Sequence, residues 1–155
     1  MKKLLAPLAG VGLMIGLVAT AAPALANQPG KTSDEIVGVV RLLSAKTAEV
    51  QVRYDCQAPA EHLWVSVKQT AHGTADPALA DEGSSSIATA WSQSHADVQN
   101  LICDGRTHVG RFLVDQAEQG FGTLQKGDAY VQFCLFDATT TDGVPVSSME
   151  FVHVR

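Results

Sequence analysis

The sequence predicts an all-β chain: an antiparallel β-sandwich of about seven to eight strands, following a cleaved export leader. Three observations predict it. Apolar and polar residues alternate with period two through most of the chain after Ile36. Turn signals rich in Gly, Pro and Asp separate the alternating runs at roughly regular intervals. No segment carries an apolar stripe of helical period long enough to hold a helix. A length of 155 residues suits one domain, and 46% apolar against 17% charged residues supplies a core and excludes a disordered acidic tail.

Residues 1–26 read as an address. Lys2 and Lys3 precede an uncharged stretch from Leu4 to Ala24, with an apolar centre at Leu8 to Val18 and an Ala24-Leu25-Ala26 cleavage site. Gly10, Gly12, Gly16, Pro7 and Pro23 argue against a retained, stable membrane anchor. Loss of Lys2 and Lys3 leaves 9 cationic against 16 acidic side chains, a formal charge of −7. That balance excludes a basic nucleic-acid binder. The expected compartment is extracellular or cell-surface associated, and the three cysteines of the exported part make a disulfide the default there.

Asn27 to Glu35 reads as a flexible N-terminal segment, and the sandwich as residues 36–155. The elements follow in order. Ile36 to Leu43 is a short β-branched strand. Val50, Val52, Tyr54 and Cys56 alternate with Glu49, Gln51, Arg53 and Asp55, the cleanest half-buried strand in the chain. Leu63, Val65 and Val67 alternate with Trp64, Ser66 and Lys68. A loop around Gly73, Pro77 and Gly83 precedes a strand near Ile87 to Trp91. Val98 to Cys103 and His108 to Val114 flank Asp104-Gly105 and suggest a hairpin. Gly120, Gly122 and Gly127 interrupt the chain before a strand at Ala129 to Phe136, and Asp142-Gly143 precedes the last, Ser148 to Val154. Only Ala75 to Asp81 and Asp115 to Gln119 could make helical turns.

Three cysteines leave one thiol over. Cys56 belongs to the apolar set of its strand, whereas Cys134 alternates with the apolar set Ala129, Val131, Phe133 and Leu135. Cys103 lies on a strand of mixed facing. The facing favours Cys56–Cys103 with Cys134 free. The rival, Cys56–Cys134, would copy the inter-sheet bond of immunoglobulin domains.

Tyr54-Asp55-Cys56, Val65-Ser66-Val67 and the run Ile102-Cys103-Asp104-Gly105-Arg106-Thr107-His108 resemble a family of small secreted actinobacterial proteins of unknown function. In that family a Tyr-x-Cys strand and a later Cys-Asp-Gly segment recur. The resemblance covers most of Val50 to Val114. It implies an exported immunoglobulin-like sandwich with the first and second cysteines paired, and it implies no activity. Cys134 departs from the pattern. A looser likeness, to secreted chromoprotein apoproteins that hold an apolar ligand, is one of fold alone.

The sequence offers no catalytic residues, no metal ligands and no cofactor site. Gly83-Ser84-Ser85-Ser86 lacks the second glycine of a nucleophile elbow. His62, His72, His95, His108 and His153 have no serine placed beside them by spacing. Cys134 is not followed closely by His and Met, as a copper loop requires. His95 with Asp97, and Met149 with His153, are two-ligand fragments. Asp137 to Gly143 lacks the carboxylates of a calcium loop. Trp64 and Trp91 remain as a candidate binding surface, with the loop from Ala71 to Ser86 as an alternative cover for Trp64. The expected function is a non-catalytic binding or interaction module, monomeric or weakly dimeric, for a protein, glycan or small apolar ligand. The alternatives are a secreted hydrolase, and a protease inhibitor presenting the loop after Gln57 with Pro59.

Overall fold

The computed structural model describes residues 33–57, 60–81, 86–95, 101–137 and 146–155. The segment expected as a leader, the serines 84–85, Pro59, Asp97, the start of the strand expected from Val98 and the loop 138–145 lie outside the described residues.

Among the described residues nine strands and one complete 3-10 turn follow the order β1 (Ser33–Ile36), β2 (Arg41–Ser44), β3 (Thr47–Gln57), β4 (Ala60–Gln69), η1 (Pro77–Ala80), β5 (Ala90–His95), β6 (Asp104–Val114), β7 (Gln119–Phe121), β8 (Gly127–Asp137) and β9 (Val146–Val154). They form two antiparallel sheets. In the first, β1 and β2 lie end to end along one side of β3, and β6 lies along the other. The second runs β7-β5-β4-β8-β9. Two sheets packed face to face make the expected sandwich. The division has the immunoglobulin-like order, with β3 and β6 in one sheet and β4, β8 and β9 in the other.

Alternation puts one face of every long strand into the core. Val50, Val52, Tyr54 and Cys56 of β3 meet Leu63, Val65 and Val67 of β4 and Ala129, Val131, Phe133 and Leu135 of β8, all buried. Phe112 of β6 closes the gap, its ring centroid 5.2 Å from that of Phe133 across the sheets. Full burial of a side chain of this size contributes about 1.5–3 kcal/mol, so the inward sets of β3, β4 and β8 are the main source of stability.

The run Ile36 to Leu43, expected as one strand, is broken into two. Gly38 takes a left-handed φ of +79°, open to glycine at no steric cost. The kink releases Val40 from β3 and lets it bond the other sheet: its N–H donates to His153 O (3.0 Å) and its oxygen accepts from Arg155 N–H (3.0 Å). The strand also begins earlier than the composition indicates. Ser33 to Glu35, read as part of a flexible lead-in, pair with Asp55, Tyr54 and Arg53. An ion pair of Glu35 with Arg53 sits on that ladder, so partner hydrogen bonds override polar composition.

The Cys56–Cys103 bond is formed and Cys134 is unpaired. The bond ties the end of β3 to the residue before β6, within one sheet. Closing a 47-residue separation stabilises by about 4 kcal/mol in the chain-entropy model. Asp104-Gly105 is not a hairpin turn. Both residues open β6, which pairs with β3, and Gly105 at φ +74° fits a register slip opposite Asp55 to Gln57. Leu101 to Cys103 carry no strand; Ile102 N–H donates to Tyr54 Oη at 3.2 Å instead.

Three further expectations shift. The strand read at Ile87 to Trp91 is Ala90–His95, because its ladder with β4 continues to Trp64↔His95. Asp115 to Gln119 forms bends, and Gln119 already starts β7 on β5. Within Ala75 to Asp81 the turn is a short 3-10 helix; Asp76 Oδ1 caps it by accepting from Ala78 N–H at 2.8 Å.

Two contacts pin the loop after β4. Buried Gln69 donates from Nε2 to Gln125 O (2.9 Å) and Asp128 O (3.0 Å), and its Oε1 accepts from Gln125 N–H (2.8 Å). Gly73 O accepts from Asp128 N–H at 2.8 Å. Gly73 and Gly127 approach so closely that a Cβ on Gly127 would run into the Gly73 carbonyl.

Candidate functional site

The two outer faces of the sandwich differ in chemistry. On the first sheet the outward residues include Glu35, Arg41, Glu49, Gln51, Arg53 and Arg111, with Glu35–Arg53 and Arg41–Glu49 paired. That is a solvated, mixed-charge face, which also exposes Val109 and Leu113 of β6.

The outer face of the second sheet is different. Its registers align side chains in rows perpendicular to the strands. One row reads Phe121, Trp91, Lys68, Tyr130, Phe151 from β7 to β9. The next reads Gln119, Gln93, Ser66, Gln132, Met149, and a third His95, Trp64, Cys134, Ser147. Every position is a direct cross-strand neighbour of the next, the arrangement in which side-chain pairs stabilise a sheet.

Contacts run along the rows. Trp91 meets Phe121 edge-on with centroids 5.9 Å apart, and Lys68 Nζ lies 5.8 Å from the Trp91 centroid. The Tyr130 and Phe151 rings meet at a tilt of 45°, their centroids 5.0 Å apart. In the amide row, Ser66 donates to Gln132 Oε1 (3.1 Å), and Gln93 Nε2 donates to Gln119 Oε1 (3.0 Å). Trp64 Nε1 joins the third row to the second by donating to Gln93 Oε1 at 3.0 Å.

Leu79 of η1 and Ala88 pack on Tyr130 and cover the middle of the aromatic row. Lys68 is buried there, and loss of hydration holds its ammonium below the usual lysine range. The ends of the rows stay open. Phe121 is 39% exposed, and Met149 and Phe151 are each 48% exposed.

Trp64 and Trp91, the sequence candidates, are therefore on one face, both half-buried, two rows apart. The loop from Ala71 to Ser86 sends Leu79 onto Tyr130. Period two could place Trp64 outward but could not bring Phe121, Phe151 and Met149 to it. Phe121 sits between glycines that read as breakers, and β9 shows its outward set only once paired with β8.

Cys134 is buried beside Trp64 on this face, as its alternation indicates. Burial, with a smaller contribution from the Asp34 charge, pushes its thiol up to about 11. A thiol held neutral in this way is a poor nucleophile.

Asp34 is the other electrostatic singularity. It faces inward between β1 and β9, where Ile36 N–H donates to Ser148 Oγ at 3.3 Å. Burial pushes the Asp34 carboxyl up to about 7, against a hydrogen bond from the Ser148 backbone and with help from Glu150 and Asp55. Its Oδ2 is buried with no hydrogen-bond partner among the described residues.

Three histidines pair with carboxylates: His95 with Glu118 (2.5 Å), His108 with Asp104 (2.8 Å) and His153 with Asp128 (3.0 Å). They stand on β5, β6 and β9, so the fold spreads them apart. Met149 and His153 take different partners, Gln132 and Asp128. Among the described residues no group of three metal-ligating side chains converges, and no helix is long and apolar enough to cross a membrane. Compared with protein-family models, curated proteins and solved structures, the chain has no match.

Proposed function

We propose that this chain is an exported, non-catalytic binding module, and that its contact face is the outer face of the second sheet. One observation carries the reading. Both tryptophans share that face with Phe121, Phe151 and Met149, five aromatic or Met side chains, whereas the outer face of the first sheet mixes the Glu35–Arg53 and Arg41–Glu49 pairs with the exposed aliphatic Val109 and Leu113. Enrichment in aromatic residues and Met is the mark of a protein-contact core, and the His95–Glu118 and His153–Asp128 pairs border it. The glutamine row runs between the rows of the two tryptophans, and its exposed end, Gln119, offers hydrogen-bonding groups to a partner. Export rests on the basic and apolar leader with its Ala-x-Ala site, and the Cys56–Cys103 bond agrees with an oxidising compartment.

A photo-crosslinking residue at position 151, and in a second variant at position 53, tests the face directly. The expected result is one envelope protein captured from 151 and not from 53, with capture lost in Phe121→Ser. Equal capture from both positions would reject the assignment. Because Trp64 and Trp91 are the chain's two tryptophans, intrinsic fluorescence gives an independent readout. A saturable change with a purified neutral glycan, without protein capture, would replace the protein partner by a sugar.

A further inference from the structure

We propose that two copies of this chain join edge to edge through β6, extending the first sheet across a two-fold axis at Val109. The surface is a strand edge. Among the described residues β6 pairs with β3 alone, so one side of an eleven-residue strand offers its backbone groups to another strand. At about 3.4 Å per residue its regular part, Thr107 to Val114, is roughly 27 Å long. β6 carries neither Pro nor Lys, and its register slip is confined to Gly105 and Arg106, so Thr107 to Val114 is the regular part of the edge. It carries instead two of the most exposed apolar side chains of the molecule, Val109 at 54% and Leu113 at 58%.

The occupant is a second copy because the strand can pair with itself in a register, centred on Val109, that brings opposite charges together. A continuous sheet with both cores on one side requires residues of like facing to meet. Centred on Val109, the antiparallel pair sets Val109 against its equivalent. Arg111 then meets Thr107 of the other copy. Asp55 is the neighbour of Thr107 on β3, so the row reads Asp55, Thr107, Arg111, Gln51 across the axis. The guanidinium of Arg111, which has no ion pair among the described residues, comes within reach of that carboxylate. Centring on Arg111 would place two guanidinium groups face to face, which like-charge repulsion disfavours. The interface is narrow, so the expected affinity is micromolar.

The axis stands perpendicular to the first sheet, so the second sheets of both copies lie on the same side. If the contact face above is right, the dimer presents two such faces together and gains by avidity. The association itself does not depend on that reading, and sedimentation measures it without any partner.

Sedimentation equilibrium on the exported, disulfide-intact protein is expected to give twice the protomer mass at high micromolar concentration. Val109→Lys should give the protomer mass at the same concentration. Arg111→Glu should weaken association by about tenfold or more, and the exchange Arg111→Glu with Asp55→Arg should restore it. Cys134→Ser should dimerise as the parent does. A protomer mass up to millimolar protein, a dimer indifferent to Val109→Lys, no rescue by the charge exchange, or a dimer lost in Cys134→Ser would each overturn the proposal.

Discussion

Lys68 Nζ lies 5.8 Å from the centroid of the Trp91 ring, on directly opposed positions of β4 and β5. The ammonium faces a π surface on one side, and Tyr130 is its neighbour on β8. Trp91 holds this arrangement from the other side through Phe121.

Trp91→Ala is therefore expected to destabilise the domain by about 2–3 kcal/mol, below the cost for a fully buried ring because Trp91 is half-buried. Lys68→Met keeps the packing volume and removes a charge that burial disfavours, so its stability at neutral pH should lie within about 1 kcal/mol of the parent. Urea titration followed by far-ultraviolet circular dichroism checks both. A silent Trp91→Ala would show that the aromatic row is decoration on a sheet held elsewhere.

Asp34 predicts an acid-favoured fold. Its folded carboxyl titrates at about 7 against 3.8 in the unfolded chain, so the folded state holds the proton more tightly. Stability from this group is full below the lower value, declines as pH rises through the interval, and is gone above the upper one. At about 1.4 kcal/mol per pH unit the ceiling is about 4 kcal/mol, and solvent screening at this partly exposed edge brings it to about 2 kcal/mol. Thermal unfolding between pH 4.5 and pH 8 should show the decline, and Asp34→Asn should flatten it. A decline that survives in Asp34→Asn would place its origin in another group.

Cys134 should be chemically quiet in the folded protein. With its thiol raised to about 11 and its side chain buried beside Trp64, alkylation at pH 8 should run about a hundredfold or more slower than in urea. Quantifying the iodoacetamide adduct by mass spectrometry against time measures both rates. Comparable rates in the two conditions would mean that the outer face opens around Cys134.

Facing was legible in the residues themselves. Val50 to Cys56, Leu63 to Val67 and Ala129 to Leu135 each declare an inward and an outward set, because successive side chains leave a strand on opposite sides whatever its neighbours are. The outward position of Trp64, the unpaired state of Cys134 and the two-sheet class all follow from that local rule. Adjacency did not. Whether Asp104-Gly105 turns back on Val98 or begins a strand beside Tyr54 depends on which distant strand supplies hydrogen bonds. The same holds for Ser33 to Glu35, polar in composition yet paired with β3, and for Phe121, hidden between glycines. The rows that bring Trp91 to Phe121, and Tyr130 to Phe151, join residues remote in the chain. Only the closure of the sheets chooses those registers, since the loop entropy spent in bringing distant strands together is repaid by the whole core at once and by no single segment.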